Sequence, residues 1–275
     1  ITAMLEPIAG NGETVTLPAD EWLQGRTLYG GASALIAYTA AIRAFPDLPP
    51  LRSAQVAFVA PVGAQVTPRA TILRQGRNVT QVQVDLLVDG EVGLSSFWLF
   101  GAEREPNAVH PAQPVSPAPI PLDKGEDMLS DKGPAFMRNH FEIRRAAPSG
   151  GDGGVVVRRW LRLTQDDGLD PVSRLVLIGD TMPPSAMRAM QRPGPMSSMN
   201  WALNILDPQA QSEGGWWLAE TASDHADAGS PDEEAAGRVH DRQQRSHGCG
   251  AQGGRGEEQG QPSGCCHRVH WVQVG

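Results

Sequence analysis

The sequence predicts an α+β chain made of two helix-plus-antiparallel-meander units and a C-terminal tail with no core of its own. Three observations carry that reading. An apolar helical stretch from Ala32 to Phe45 is followed by four strand-like runs, and the same layout returns at lower fidelity beyond a proline-dense segment. From Ala226 to the end, Leu, Ile, Phe, Met, Tyr and Lys are absent.

The first unit opens with a short strand over Glu13 to Leu17, where Val15 and Leu17 alternate with Thr14 and Thr16. A Pro18-Ala19-Asp20 turn leads to Trp22 through Gly31. Leu35, Tyr38, Ile42 and Phe45 then recur at three- and four-residue steps, which predicts a mostly buried helix that Pro46 stops. Strands are expected over Gln55 to Val62, Val66 to Arg74, Val79 to Val88 and Glu91 to Phe100. Alternation is strict in Gln81-Val82-Gln83-Val84-Asp85-Leu86, so one face is wet and one buried. Asp89-Gly90 is a two-residue hairpin signal. A helix against an antiparallel meander forms two layers around one core.

The segment from Pro106 to Pro121 favours extended polyproline backbone and marks an interdomain linker. In the second unit, Phe136 to Arg145 and Val155 to Leu163 read as strands around a glycine-rich turn at Ser149 to Gly154. Asp170-Pro171 supplies an N-cap and an N1 proline for a helix through Val172, Leu175, Val176 and Ile178. Ser197 to Leu206 and Trp216 to Thr221 read as the next strands. The expected division is 1–104 and 123–229 for the two units, 105–122 for the linker and 230–275 for a disordered tail. The tail cannot bury enough apolar area to offset the entropy of ordering it.

Composition narrows the function. With 275 residues the chain holds one large or two small domains. A formal charge of -8 gives no basic footprint for nucleic acid, although a local arginine cluster can still meet an anionic ligand. No apolar run is long enough to span a bilayer. The three cysteines fall in the last 27 residues, so no disulfide framework holds the body of the protein. The opening Ile1-Thr2-Ala3-Met4 lacks the features of a secretory signal, and a cytoplasmic location is expected. His247, Cys249, Cys265, Cys266, His267 and His270 fit no common zinc spacing, so neither a metal nor another cofactor is expected.

No Gly-x-Ser-x-Gly elbow, Walker loop or Gly-x-Gly-x-x-Gly is present. Without those motifs, any hydrolysis would run through a positioned water, which needs a carboxylate or polar group to orient the water and N–H donors for the developing oxyanion. Asp180, after the apolar run Leu175 to Gly179, is the candidate carboxylate, because burying it is costly without a partner or a task. A helix-ending aspartate is the structural alternative. Gly30-Gly31 lets a backbone and a ligand approach closely at the mouth of the first helix. Helix packing is the alternative there. Trp22, Trp160, Trp201, Trp216 and Trp217 read as core or interface residues. Arg26, Arg74 and Arg77 read as solvated, with a phosphate contact as the minor reading.

The stretch Trp22-Leu23-Gln24-Gly25-Arg26-Thr27-Leu28-Tyr29-Gly30-Gly31 and the helix after it resemble the N-terminal hotdog of the type II (TesB-like) acyl-CoA thioesterases. Gly215-Trp216-Trp217-Leu218-Ala219-Glu220-Thr221-Ala222-Ser223-Asp224-His225 resembles a strand of their second hotdog. The resemblance implies a double hotdog, acyl-CoA as substrate and free fatty acid and CoA as products. It also implies Asp180 and Ser198 as catalytic residues that align and polarise water, and Gly30 and Gly31 as the substrate-facing turn. The family's third polar residue, a glutamine, has no match, since the surroundings of Gln273 differ. The two closing strands of the family are missing after Gly229, a break that a shift of coding frame near Ala226 to Ser230 would produce. Other expectations are a second copy of the chain as partner, no nucleic acid and no membrane. The competing readings are a catalytically impaired acyl-CoA-binding hotdog and, last, a hotdog hydratase, whose helix would carry an Asp–His pair.

Overall fold

The computed structural model describes residues 1–105, 118–131, 133–147, 156–165, 168–189, 196–210, 212–225, 237–240 and 265–272. After a short helix α1 (Thr2–Leu5), the first half contains β1 (Val15–Thr16), a hairpin of β2 (Leu23–Gln24) and β3 (Thr27–Leu28), and the central helix α2 (Gly30–Ala44). Then follow β4 (Leu51–Phe58), β5 (Gln65–Gln75), β6 (Val79–Val88) and β7 (Glu91–Gly101). The second half contains α3 (Ala135–His140), β8 (Phe141–Arg145), β9 (Val156–Leu163), α4 (Pro171–Ile178), β10 (Met196–Ser198), β11 (Asn200–Asn204) and β12 (Trp217–His225). Two further strands are β13 (Gly237–His240) and β14 (Cys265–Val272).

Helix α2 is buried on every side from Gly31 to Ala41, because the first sheet covers one flank and the second half covers the other. A helix apolar all round belongs in a core. The covering sheet has the order β1-β5-β6-β7-β4-β11. Its inner face is set by period-two alternation: Thr80, Val82, Val84 and Leu86 of β6 are buried beside Leu94, Trp98 and Phe100 of β7. Tyr38 of α2 meets Trp98 and Phe100, with ring centroids 5.4 and 6.3 Å apart. Asp89 (φ 53°) and Gly90 (φ 87°) make the tight hairpin that their residue types require.

The second sheet has the order β10-β13-β14-β12-β9-β8. Strand β11 leaves it and pairs antiparallel with β4, with Trp201 opposite Val56, so the second half contributes the edge of the first half's sheet. One hydrophobic core runs through both halves. Aromatic contacts tie them together: Tyr29 stacks on Phe136 at 4.2 Å and Trp22 on His140 at 3.9 Å. This is the α+β double hotdog that the sequence predicts.

Two expectations change. Phe136 to Arg145 is not one strand, since Ala135–His140 forms a helical turn after Gly133-Pro134 and only Phe141–Arg145 is extended. The turn carries Phe136 onto Tyr29, a long-range contact that outweighs local β propensity. Ser197 to Leu206 is likewise divided at Met199, and its two pieces join different sheets. Within 230–275 the described residues are those of β13 and β14, where β14 pairs antiparallel with β12 and β13 pairs parallel with β10 and β14. The core of the proline-dense linker (106–117), the glycine-rich turn (149–154), Gln273 and the rest of the tail lie outside the described residues.

Candidate active site

The site is built where α4 ends against the start of α2. Asp170 caps α4, its Oδ1 accepting from Val172 N and Ser173 N at 3.0 Å each, and Pro171 takes the first turn. With that start fixed, the apolar run Leu175–Ile178 packs inward and the helix stops at Gly179. The Trp201 ring occupies the space where a side chain at Gly179 would stand, so only glycine fits there. The following residue, Asp180, is thereby placed over Gly30, the first residue of α2.

The glycine pair has two distinct tasks. A Cβ on Gly30 would overlap Asp180 Oδ2 and come within 3.1 Å of Phe58 Cζ. A Cβ on Gly31 would overlap the Leu177 carbonyl oxygen and crowd the Tyr29 ring at 2.7 Å. Gly30 therefore lets a carboxyl group sit at the mouth of the helix, and Gly31 lets the backbones of α2 and α4 touch. No side chain caps α2, so its first N–H groups are open toward that mouth.

The Asp180 carboxyl is only partly accessible, and among the described residues no hydrogen bond reaches it. Burial raises its pKa from the usual carboxylate value to about 7. The positive end of the α2 dipole acts in the opposite direction, and burial prevails. The Asp180 acid is thus poised to exchange a proton near neutral pH.

Tyr29 and Thr181 hold this arrangement. The Tyr29 hydroxyl donates to Leu177 O at 2.7 Å and lies 2.8 Å from Thr181 Oγ1. Burial, reinforced by the Asp180 charge, pushes the Tyr29 phenol well above its ordinary pKa and keeps it a donor. Replacing Tyr29 by phenylalanine leaves a buried carbonyl and hydroxyl short of a partner. The expected loss is about 1–3 kcal/mol, read as a lower urea midpoint at unchanged m-value.

Ser198 ends β10, one residue before Met199, whose carbonyl accepts from Phe58 N at 3.0 Å. It therefore lies on the strand segment that passes Phe58, whose ring borders Gly30. Among the described residues, no hydrogen bond joins its hydroxyl to Asp180. Asp180 and Gly30 are brought together, Gly31, the next residue of α2, faces the Leu177 carbonyl instead, and Ser198 is placed only by its position two residues before Asn200, the first residue of β11. Arg26 lies in the β2–β3 turn and Arg74 and Arg77 at the β5–β6 hairpin, and all three are exposed. Tyr29, Thr181 and Phe58 were not singled out by the sequence, although Tyr29 directly precedes the glycine pair.

A family model of the acyl-CoA thioesterase N-terminal domain matches residues 18–101, and one of the acyl-CoA thioesterase C-terminal domain matches residues 112–254. No curated protein matches the chain significantly. Among solved structures, a conserved protein of unknown function with a hot dog fold from Alicyclobacillus acidocaldarius is similar at a TM-score of 0.68 and 19% identity. The likeness covers 82% of this chain and 88% of that one. A provisionally assigned thioesterase from Novosphingobium aromaticivorans gives 0.64 and 23%, over 78% and 84% of the two chains. The acyl-CoA thioesterase II TesB2 of Mycobacterium marinum gives 0.55 and 18%, over 82% and 86%. At these identities the likeness is one of fold.

Proposed function

We propose that this chain, which belongs to the acyl-CoA thioesterase family, hydrolyses fatty acyl-CoA to free fatty acid and CoA with Asp180 as the base that activates water. The observation that carries the reading is the Asp180 carboxyl, seated over the open N-terminus of α2 with its pKa lifted to about 7. A base with a pKa near the working pH combines a useful ionised fraction with real proton affinity.

In the proposed reaction, ionised Asp180 takes a proton from a water as the water oxygen bonds to the thioester carbon. Negative charge gathers on the carbonyl oxygen, where the first N–H groups of α2, at Gly30 and Gly31, can meet it. The tetrahedral intermediate then collapses, the C–S bond breaks, and the proton held by Asp180 goes to the departing sulfur. Ser198 is proposed to hold the water from the strand side. The apolar acyl chain would lie along Phe58 and Trp201.

A second reading, acyl-CoA binding with impaired turnover, draws support from the lack of a hydrogen bond to the Asp180 carboxyl among the described residues. Release of free CoA from short-, medium- and long-chain acyl-CoAs separates the two. Turnover is the expected result. Calorimetric binding of acyl-CoA without CoA release would establish the second reading.

A further inference from the structure

A cavity of about 240 Å³ lies beside the loop that follows Asp180, and Arg145, Arg159 and Arg188 converge on it with Val157, Pro183 and Pro184. Its placement is unusual. Alternate residues of a strand share a face, and Arg145 follows Ile143 on β8 while Arg159 lies between Val157 and Leu161 on β9. Ile143, Val157 and Leu161 belong to the main core, so two guanidinium groups stand on the face that is otherwise apolar.

Arg145 and Arg159 are also direct cross-strand partners, where like charges are unfavourable. The third cation, Arg188, comes from the 3-10 turn after Pro184 and donates to Val156 O at 3.0 Å. Arg145 has a carboxylate partner in the exposed Glu126, Nε to Oε2 3.1 Å. Among the described residues neither Arg159 nor Arg188 has one, and Arg159 donates only to the Arg158 carbonyl at 2.9 Å. Burial first, then the charges of Arg145 and Arg188, lower the Arg159 pKa. Three cations thus gather in a protein whose net charge is -8, and among the described residues two of them have no carboxylate partner.

We propose that this cavity seats the phosphate-bearing end of the CoA portion of the substrate, with Arg145, Arg159 and Arg188 as its ligands. The inference rests on the thioesterase reading and adds the subsite that recognises the leaving group. Guanidinium forks match phosphate oxygens in pairs, and a polyanion relieves the repulsion among the three. The position suits the purpose. Two residues, Thr181 and Met182, separate Asp180 from Pro183, and the three steps span at most ~11 Å, which a pantetheine arm covers. Thr221 Oγ1 donates to Pro183 O at 3.3 Å and ties the cavity wall to β12.

The test compares acyl-CoA with the corresponding S-acyl-pantetheine, which carries the thioester without phosphates. Arg159→Gln and Arg188→Gln are each expected to lower the ratio of kcat/KM for acyl-CoA over acyl-pantetheine about tenfold, the size of a lost charged hydrogen bond. The loss should appear in KM, and Arg159→Lys should recover part of it. Arg188 is exposed, so its variant keeps the test available if Arg159→Gln does not fold. An unchanged ratio in the folded Arg188 variant overturns the proposal. Calorimetry with free CoA and with ADP supplies the independent arm. Arginine-dependent CoA binding in a wild type that turns over no thioester upholds the subsite while the thioesterase reading fails. ADP binding at the arginines that does not compete with CoA assigns the cavity to a separate nucleotide and overturns the proposal.

Discussion

Asp180→Asn is expected to lower kcat for acyl-CoA hydrolysis by at least ~10²-fold at about pH 8, the low end of what a positioned base contributes. The same change is expected to make the fold more resistant to urea at that pH. The two effects share one cause. In the folded chain the carboxyl has a pKa of about 7 against an ordinary value of 3.8. Between those values the folded state binds more protons than the unfolded state, so stability falls as pH rises from about 4 through about 7. The cost of ionisation is absent below that window and complete above it, at no more than about 4 kcal/mol. Asparagine is neutral at every pH and removes the cost together with the base. A variant that loses activity and also loses stability above pH 7 would show Asp180 to be a structural anchor.

Gly31→Ala is expected to destabilise the fold by about 3 kcal/mol, the upper part of the usual range for overpacking. The new Cβ meets the Leu177 carbonyl oxygen, a backbone atom that can yield only if α2 and α4 separate. Alanine's better helix propensity, about 1 kcal/mol, offsets part of this. Gly30→Ala offers the informative contrast. Its Cβ meets Asp180 Oδ2, the end of a side chain that can rotate away. Activity is therefore expected to fall about 10²-fold, through displacement of the base, with a much smaller shift of the urea midpoint. Equal stability losses in both variants would remove the distinction between the two glycines.

Elements set by local chemistry were legible in the sequence. Strict alternation gave Val79–Val88 with its bounds, and the Asp170-Pro171 pair placed the start of α4 where the structure has it. Helix α2 begins two residues earlier than its apolar spacing suggests, because the glycine pair belongs to the first turn. Features created by distant contacts were not legible. Phe136 lies in a helical turn so that it can stack on Tyr29, and the break at Met199 reflects two sheets competing for one segment.

The same division applies to the site. Asp180 stood out because a carboxylate after an apolar helix demands a reason, and Gly30 because a glycine pair opens a helix. That they meet depends on how the second half docks on the first. Ser198 rests on family resemblance and position, without a contact to Asp180. Arg145, Arg159 and Arg188 come from two strands and a 3-10 turn, and no sequence spacing connects them.

The most direct measurement is the pH dependence of kcat/KM for acyl-CoA hydrolysis by the wild type and Asp180→Asn, from about pH 5 to about pH 9. If Asp180 is the ionising base, wild-type kcat/KM rises with unit slope through a midpoint near pH 7 and then levels, while the variant stays low and lacks that limb. A wild-type profile that is flat across the range, or a variant that keeps both the rate and the limb, would contradict the assignment of Asp180 as the base.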